Sequence, residues 1–146
     1  MGAPPIERAA AGDAAAVLAL LTENRLPVAG LLEHLPTTIV ARQDGKVVGC
    51  AALEVYADGA LLRSVAVAPA LQHHGIGQSL TAAALQLAND LKLPAVYLLT
   101  TTAERFFPKF GFECIERRAV PESVQRAVST PLRQPGSAFT VATPSN

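Results

Sequence analysis

Apolar residues in the first half of the chain recur first at helical and then at strand-like spacing. A strand-like run at residues 6–10 precedes a helical pattern that starts at Asp13 and that Pro27 ends. A second, short helix is predicted at residues 28–35, where Pro36 stops it. Three strands joined by Asp-Gly turns, which favour hairpins, complete this half. They are predicted at residues 37–42, 46–56 and 60–67.

The second half begins with the longest helical pattern in the chain. After Pro69, a turn with two glycines leads into apolar residues three and four positions apart, from Ile76 to Leu91. The later predicted elements are strands at residues 95–99, 112–119 and 138–141 and short helices at residues 103–109 and 121–128. The pattern predicts a single α/β domain over residues 1–146, with a mixed, mostly antiparallel sheet flanked by helices.

Composition and charge narrow the class of partner. Twelve Lys and Arg balance twelve Asp and Glu among 146 residues, so we expect neither a nucleic-acid nor a membrane partner. Half of the residues are hydrophobic, which supports a core. Cys50 and Cys114 are too few for a disulfide framework, and we expect both to be small buried hydrophobes. Because no basic and apolar leader follows Met1, we expect a cytoplasmic location.

The turn before the long helix carries the clearest candidate chemistry. It reads Gln72-His-His-Gly-Ile-Gly77. The first amides of a helix have no intrahelical partner and the helix dipole adds positive charge, so glycines here favour an anion site for phosphate or pyrophosphate. The turn is neither a Walker loop nor a dinucleotide fingerprint, since it lacks Gly-Lys-Ser/Thr and the three-glycine spacing. The alternative is a tight turn with no ligand.

Residues 65–77, Val-Ala-Val-Ala-Pro-Ala-Leu-Gln-His-His-Gly-Ile-Gly, resemble the signature of the GNAT superfamily of acetyl-CoA-dependent N-acetyltransferases. That signature is (Q/R)-x-x-G-x-(G/A) after a strand that ends in V-x-P. Residues 106–112, Phe-Phe-Pro-Lys-Phe-Gly-Phe, look like the aromatic-x-x-x-G-F segment of the same family. The resemblance implies a GNAT fold, in which the fourth and fifth strands splay apart.

Other segments resemble particular members of this superfamily. Residues 61–67, 97–107 and 118–121 are similar to the N-acetyltransferases found with arsenic-resistance operons. Leu-Leu-Thr-Thr at residues 98–101 also resembles the acetyltransferase domain of N-acetylglutamate synthases. The resemblance therefore implies acetyl transfer to a small primary amine, the α-amino group of an amino acid or of an amino-acid-like toxin, by direct attack in a ternary complex. Relatives are often dimers, which makes a homodimer an expectation.

The resemblance also implies how acetyl-CoA binds. Its pantetheine arm would pair with the backbone of residues 65–67, and its pyrophosphate would lie on the amides of residues 72–78. Gln72 would support the loop or touch a phosphate. Adjacent histidines rarely chelate one ion, so we expect no metal and place this pair beside the phosphates or in solvent. The residues expected to bind acetyl-CoA are Val65, Ala66, Val67, Gln72, His73, His74, Gly75, Ile76, Gly77, Gln78 and Phe107.

For catalysis, the backbone N–H near Val65 would polarise the thioester carbonyl. Glu54 would act as general base through a water, or it would be an exposed strand carboxylate. Many relatives use a tyrosine to protonate the departing thiolate, and Phe107 occupies that position. Another group or water must then serve, or the thiolate leaves unaided. This substitution keeps a non-catalytic CoA-binding sensor as an alternative, and a protein N-acetyltransferase is a second one.

The acceptor-binding residues are expected on the third to fifth strands. Arg63 would clamp a carboxylate from the face that it shares with Val65, or it would lie at an exposed strand end. Ser64 would face the other way, and Tyr56 would line the amine pocket or cap the hairpin. The complete set of candidates is Arg63, Ser64, Tyr56, Thr100 and Thr101.

Overall fold

The computed structural model describes eight segments of the chain. They are residues 4–26, 28, 30–56, 59–72, 74–93, 95–100, 113–115 and 138–142, with the backbone alone at residues 98–100, 113–115 and 138–142. The chain divides into two compact units. The first comprises Met1–Glu54 and Arg63–Ala84, and the second comprises Val55–Leu62 and Leu85–Asn146.

Antiparallel strands form the sheet of the first unit. Its strands are β1 (Ile6–Arg8), β2 (Thr38–Gln43), most of β3 (Lys46–Tyr56) and the second part of β4 (Gly59–Val67), adjacent in that order. The end of β3 and the start of β4 belong to the second unit. Both residues of the predicted Asp44-Gly45 turn have positive φ, 54° and 78°, as the tight hairpin between β2 and β3 requires. The meander predicted from the sequence is confirmed.

Two α-helices lie within the described residues, α1 (Ala14–Glu23) and α2 (Ile76–Asp90). Helix α1 buries Val17 and Leu21 fully. The core of the first unit is formed by α1, the loop between α1 and β2, and strands β2 to β4. Its members are Val17, Leu20, Leu21, Leu31, Val40, Cys50, Ala52 and Ala66. Cys50 is buried there, as predicted.

The predicted bounds of the first two helices are wrong. Helix α1 ends at Glu23 rather than at Pro27, because Arg25 adopts a left-handed conformation with φ of 58°. The described residues of the range 28–35 form no α-helix. The chain instead forms a short 3₁₀ turn, Leu32–Thr37, since Gly30 with φ of 80° breaks a continuous helical backbone before it. This turn runs through Pro36, which needs no N–H donor there.

Parallel and antiparallel pairing are combined in the second unit. It contains β5 (Val96–Thr100), β6 (Glu113–Ile115) and β7 (Ala138–Ala142), in the order β4-β5-β7-β6. Strand β5 pairs in parallel with residues 60–62 of β4, and β7 pairs antiparallel with both β5 and β6 of its own chain. The predicted α/β fold with a mixed, mostly antiparallel sheet is confirmed. The helices predicted at residues 103–109 and 121–128 lie outside the described residues.

Candidate functional site

The turn that precedes α2 leads into a helix whose first amides have no intrahelical partner. The first intrahelical hydrogen bond runs from the Ser79 N–H to the Gly75 carbonyl, at 3.1 Å. The amides of Ile76, Gly77 and Gln78 therefore come before any intrahelical acceptor is available to them. The side chain of Ile76 is buried, so this residue offers only its backbone to a ligand. These amides and the helix dipole suit an anion.

The two glycines of the turn serve different purposes. Gly75 has φ of 85°, in the left-handed region that strongly favours glycine. Gly77 has no such conformation, and among the described residues a Cβ at this position would meet the Val67 side chain alone, at an ordinary 3.9 Å. The described residues therefore leave room for a side chain at Gly77 that the sequence does not use. That room lies at the amides that would hold a phosphate.

Neutral hydrogen bonds hold the turn against the end of α1. The side-chain amide of Gln72 donates to Asn24 Oδ1 at 3.0 Å and to the Val67 carbonyl at 3.1 Å. The Asn24 amide in turn donates to the Leu20 carbonyl at 2.9 Å and to the same Val67 carbonyl at 3.2 Å. With both N–H groups of Gln72 used inside the protein, its side chain supports the loop. Asn24 is a member of this cluster that sequence analysis missed.

Strand β4 is not regular next to Val65. Ser64 has φ of 58°, and its carbonyl accepts a hydrogen bond from the Cys50 thiol at 3.2 Å. The Arg63 Nε donates to Ser64 Oγ at 3.3 Å, so these two side chains lie together. The prediction that Ser64 faces away from Arg63 is therefore wrong, because the left-handed residue interrupts the strict alternation on which it depended.

Cys50 is a hydrogen-bond donor rather than a nucleophile. Burial raises the pKa of its thiol to about 12, so that the thiol stays protonated at neutral pH. A protonated thiol can donate to the Ser64 carbonyl, which steadies the irregular backbone beside Arg63.

Arg63 and Glu54 form an ion pair with His34 beside it, and these three residues are called the charged cluster below. The guanidinium Nη1 of Arg63 donates to Glu54 Oε1, and His34 Nε2 lies 3.8 Å from Glu54 Oε2. Glu54 is only 4% exposed and the Arg63 side chain 15%. Of the alternatives that the sequence left open, the exposed carboxylate and the exposed arginine at a strand end are therefore both wrong.

The loop between α1 and β2 brings His34 to this cluster. The His34 carbonyl accepts from Thr38 Oγ1 at 2.9 Å, and Thr37 Oγ1 donates to the Leu53 carbonyl at 2.6 Å, next to Glu54. A Cβ at Gly30 would lie 3.6 Å from Arg63 Nη1, so the loop backbone also approaches the guanidinium closely. No local sequence signal indicates His34, because its partners lie on strands far along the chain.

Several predicted residues are described in part or not at all. Tyr56 ends β3 and is half-buried, and Thr100 is the last residue of β5. His73, Thr101 and Phe107 lie outside the described residues. Among the residues with described side chains, no three of His, Cys, Asp and Glu are grouped to hold a metal ion. No helix in the described part of the chain is long and apolar enough to cross a membrane.

Comparison with known proteins identifies the family. The family model of the acetyltransferase (GNAT) domain matches residues 35–114, which contain the glycine turn and most of the charged cluster. The chain belongs to the GNAT acetyltransferase family. The family predicted from the sequence is confirmed.

Individual GNAT proteins resemble the chain over different lengths. The amino-acid acetyltransferase of Mycobacterium tuberculosis is 47% identical over 81 residues, covering 55% of this chain and 46% of that protein. N-acetylglutamate synthase from Neisseria gonorrhoeae, solved with coenzyme A and N-acetyl-glutamate, matches 97% of this chain and 35% of its own, with 25% identity and a TM-score of 0.83. A Mycobacterium tuberculosis protein solved with CoA matches 96% of this chain and 99% of its own, with 30% identity and a TM-score of 0.78. The chain spans less than half of the first two relatives.

Proposed function

We propose that this chain transfers the acetyl group of acetyl-CoA to the α-amino group of a small amino acid or a similar molecule. The observation that carries the proposal is the N-terminus of α2, where the described residues leave space at Gly77, in a chain of the GNAT acetyltransferase family. Relatives named amino-acid acetyltransferase support an amino acid as the acceptor. L-Glutamate is the first acceptor to test, because one similar structure holds N-acetyl-glutamate.

The turn and β4 would bind acetyl-CoA through the backbone. The amides of residues 76–78 suit the pyrophosphate, and Gly77 leaves it room to approach. The backbone of residues 65–67 would pair with the pantetheine arm, and the Val65 N–H would polarise the thioester carbonyl as charge develops on its oxygen. The Gln72 and Asn24 amides fix the Val67 carbonyl and so hold this backbone in place.

Arg63 would recognise the carboxylate of the acceptor. A guanidinium carries five N–H donors in a planar fork, so it can bind Glu54 and a second carboxylate together. Glu54 and Ser64 already fix the direction of the guanidinium, which lowers the entropy lost when a substrate binds. An acceptor without a carboxylate would lose this interaction.

Release of free coenzyme A thiol from acetyl-CoA tests the proposal directly. The panel consists of L-glutamate, other amino acids, amino-acid analogues, polyamines and peptides. We expect one or a few amino acids to support turnover. Thiol release with peptides alone would favour a protein acetyltransferase, and tight CoA binding with no release for any amine would favour a sensor.

Two variants of Arg63 separate acceptor binding from acetyl-CoA binding. Arg63→Ala and Arg63→Lys are each expected to raise the KM for a carboxylate-bearing acceptor by about tenfold or more, while the KM for acetyl-CoA stays near its wild-type value. The lysine variant keeps the charge and removes only the planar fork. Equal changes in both KM values, or none, would remove Arg63 from the acceptor site.

A further inference from the structure

His34 is the most accessible member of the charged cluster. Its side chain is 21% exposed, against 5% for the side chain of Glu54. The two carboxylate oxygens of Glu54 face different partners. Oε1 accepts from the guanidinium of Arg63, and Oε2 faces Nε2 of the His34 imidazole. The imidazole therefore stands between a buried carboxylate and the solvent side of the cluster, a position from which a proton can leave.

We propose that His34 is the general base of the acetyl transfer and that Glu54 orients it. The inference rests on the proposed function, because it assigns a role in that reaction. It also changes the role of Glu54, which the sequence predicts as the base. The buried carboxylate becomes a positioning residue, with Oε2 3.8 Å from Nε2 of the imidazole, and the other ring nitrogen would take the proton of the acceptor.

The cluster favours His34 over Glu54 as the proton acceptor. If Glu54 took up a proton, it would lose its ion pair with Arg63, which lies with it in a largely buried setting. Imidazole is also the side chain that most often serves as a general base in proteins. The charged groups described near His34 include Glu54 from β3 and, paired with it, Arg63 from β4. On its own turn Glu33 is exposed, and the guanidinium of Arg8 from β1 donates to the Pro36 carbonyl.

Hydrogen bonds fix the backbone of the turn that carries His34. Thr38 Oγ1 donates to the His34 carbonyl, and Thr37 Oγ1 anchors the same turn to the Leu53 carbonyl of β3. These two bonds hold the backbone of the turn at His34 next to β3, the strand that carries Glu54. A histidine on a turn with a fixed backbone meets the geometric demand on a general base better than one on a free loop.

The proton balance of the step is simple. The acceptor arrives as an ammonium ion, and its proton passes to the neutral imidazole of His34 before attack. The amine nitrogen then forms a bond to the thioester carbonyl carbon, the carbon–sulfur bond breaks, and the second nitrogen proton goes to the departing thiolate. His34 returns its proton to water, so the products are the acetylated amine, coenzyme A thiol and one released proton.

The pH dependence of kcat/KM for the acceptor tests this assignment. The assay uses L-glutamate, or whichever amino acid of the panel is acetylated fastest. In His34→Gln the amine must lose its proton unaided, so kcat/KM should fall about 100-fold at neutral pH. In the variant, the fall of kcat/KM on the acidic side of its pH profile should move up by more than one pH unit, to the pH at which the amine of the acceptor itself titrates. At high pH, kcat/KM of the variant should approach the wild-type value. Glu33→Gln, at an exposed position on the same turn, is the matched control and should keep the wild-type profile.

Further variants distinguish a base from a structural residue. Glu54→Gln should lower kcat/KM while keeping an acidic limb, and added imidazole should restore turnover to His34→Gly in a saturable way. Two results would overturn the assignment while leaving acetyl transfer in place. One is a pH profile of kcat/KM that His34→Gln leaves unchanged, and the other is an acidic limb that is lost in Glu54→Gln but kept in His34→Gln. If wild type released no thiol with any amine although CoA binds, the proposed function would fail, and this assignment with it. Thermal unfolding and the KM for acetyl-CoA check that each variant is folded.

Discussion

Two polar clusters contact β4 in the first unit, and they are held together by different forces. At the end of the strand, the amides of Gln72 and Asn24 converge on the Val67 carbonyl through neutral hydrogen bonds. Further back along the strand, Arg63 is paired with the carboxylate of Glu54, with His34 beside it. The neutral cluster fixes backbone, and the charged cluster fixes side chains.

This difference matches what each cluster would do for a ligand. A phosphate bound to helix amides needs a backbone of fixed shape, and neutral side chains supply it without competing charge. An amine and a carboxylate need charged or titratable side chains in fixed directions, and a mutually paired cluster provides them. The two clusters should therefore respond differently when one member is removed.

The largest effect is expected at the charged cluster. Glu54→Ala removes a carboxylate from a largely buried ion pair and leaves the Arg63 charge without it. Loss of one partner of a buried pair costs about 3 kcal/mol or more, because the remaining charge is poorly solvated. We expect the free energy of unfolding, measured by urea denaturation, to fall by about this amount.

A double variant tests whether the charge of Arg63 causes that loss. Glu54→Leu combined with Arg63→Met replaces the pair by apolar side chains, and it should recover a large part of the stability that either single change removes. Additive losses in the double variant would show that the two residues contribute independently, and the pair would then not be the unit that stabilises this part of the sheet.

A substitution in the neutral cluster should lower stability less than one in the charged cluster, and it should affect the binding of acetyl-CoA more clearly. Gln72→Leu removes hydrogen bonds to Asn24 and to Val67, each worth about 1 kcal/mol. We expect the free energy of unfolding to fall by about 1–2 kcal/mol and the KM for acetyl-CoA to rise, with the KM for the acceptor nearly unchanged.

The matched control for Gln72 is a glutamine in solvent. Gln86 is exposed on α2 and bonds only locally, to Asp90 four residues on, in the contacts described. Gln86→Leu should change stability by less than about 0.5 kcal/mol and leave both KM values alone. A rise in the KM for the acceptor equal to that for acetyl-CoA in Gln72→Leu would mean that the turn supports the whole site rather than the CoA side.

The same comparison explains what the sequence could predict. The glycine turn and the Asp44-Gly45 hairpin are local features, since backbone conformation and the start of a helix are written in adjacent residues. The charged cluster is different, because its three members come from a loop and two strands. The sequence predicts Arg63 and Glu54 as separate candidates. It does not predict that they pair with each other, nor how far each side chain is buried.

His34 could not be found from sequence for a specific physical reason. Its position depends on Gly30, whose left-handed conformation replaces the predicted helix by a 3₁₀ turn. The contribution of Ser64 is similar, since its left-handed backbone changes which side chains share a side of β4. Both are single-residue departures from regular periodicity, and periodicity is what identifies helices and strands in a sequence.

The two glycines of the turn should respond to alanine with opposite signs. Gly75→Ala forces a Cβ into the left-handed region and should lower stability by about 1 kcal/mol. Among the described residues, the methyl group of Gly77→Ala meets Val67 at an ordinary contact distance, and the variant gains helix propensity, so it should raise stability by up to about 0.5 kcal/mol. Because the methyl group occupies space at the phosphate amides, Gly77→Ala should also raise the KM for acetyl-CoA.

The outcome for Gly77→Ala separates two explanations of the turn. A more stable protein with weaker acetyl-CoA binding would mean that glycine is present for the ligand. A variant that is more stable and binds acetyl-CoA as wild type does would mean that the phosphate does not approach this amide. Thermal unfolding and isothermal titration with coenzyme A measure the two quantities on the same sample.

The smallest effect is expected at an ion pair outside both clusters. Asp13 Oδ2 accepts from Arg42 Nη2 at 2.6 Å and from the Ala10 N–H at 2.7 Å. The guanidinium of Arg42, with help from that N–H, holds the pKa of the Asp13 carboxyl below its usual range. A carboxyl whose pKa is lowered by folding stabilises the protein above its unfolded pKa, near 4, and that contribution is lost as the pH falls through the folded pKa.

Asp13→Asn should therefore make the free energy of unfolding depend less on pH in the acidic range. Urea unfolding between pH 7 and pH 2 is expected to show a wild type that loses stability below about pH 4 and a variant that loses less over the same interval. Asp44→Asn removes the same charge from the exposed turn between β2 and β3 and should keep the wild-type dependence on pH. If both variants behaved alike, net charge rather than the contact with Arg42 would govern acid stability. The Asp13–Arg42 pair would then stabilise the protein less than the Arg63–Glu54 pair and also by a different cause. Its effect would come from net charge, whereas that of the Arg63–Glu54 pair would come from the contact itself.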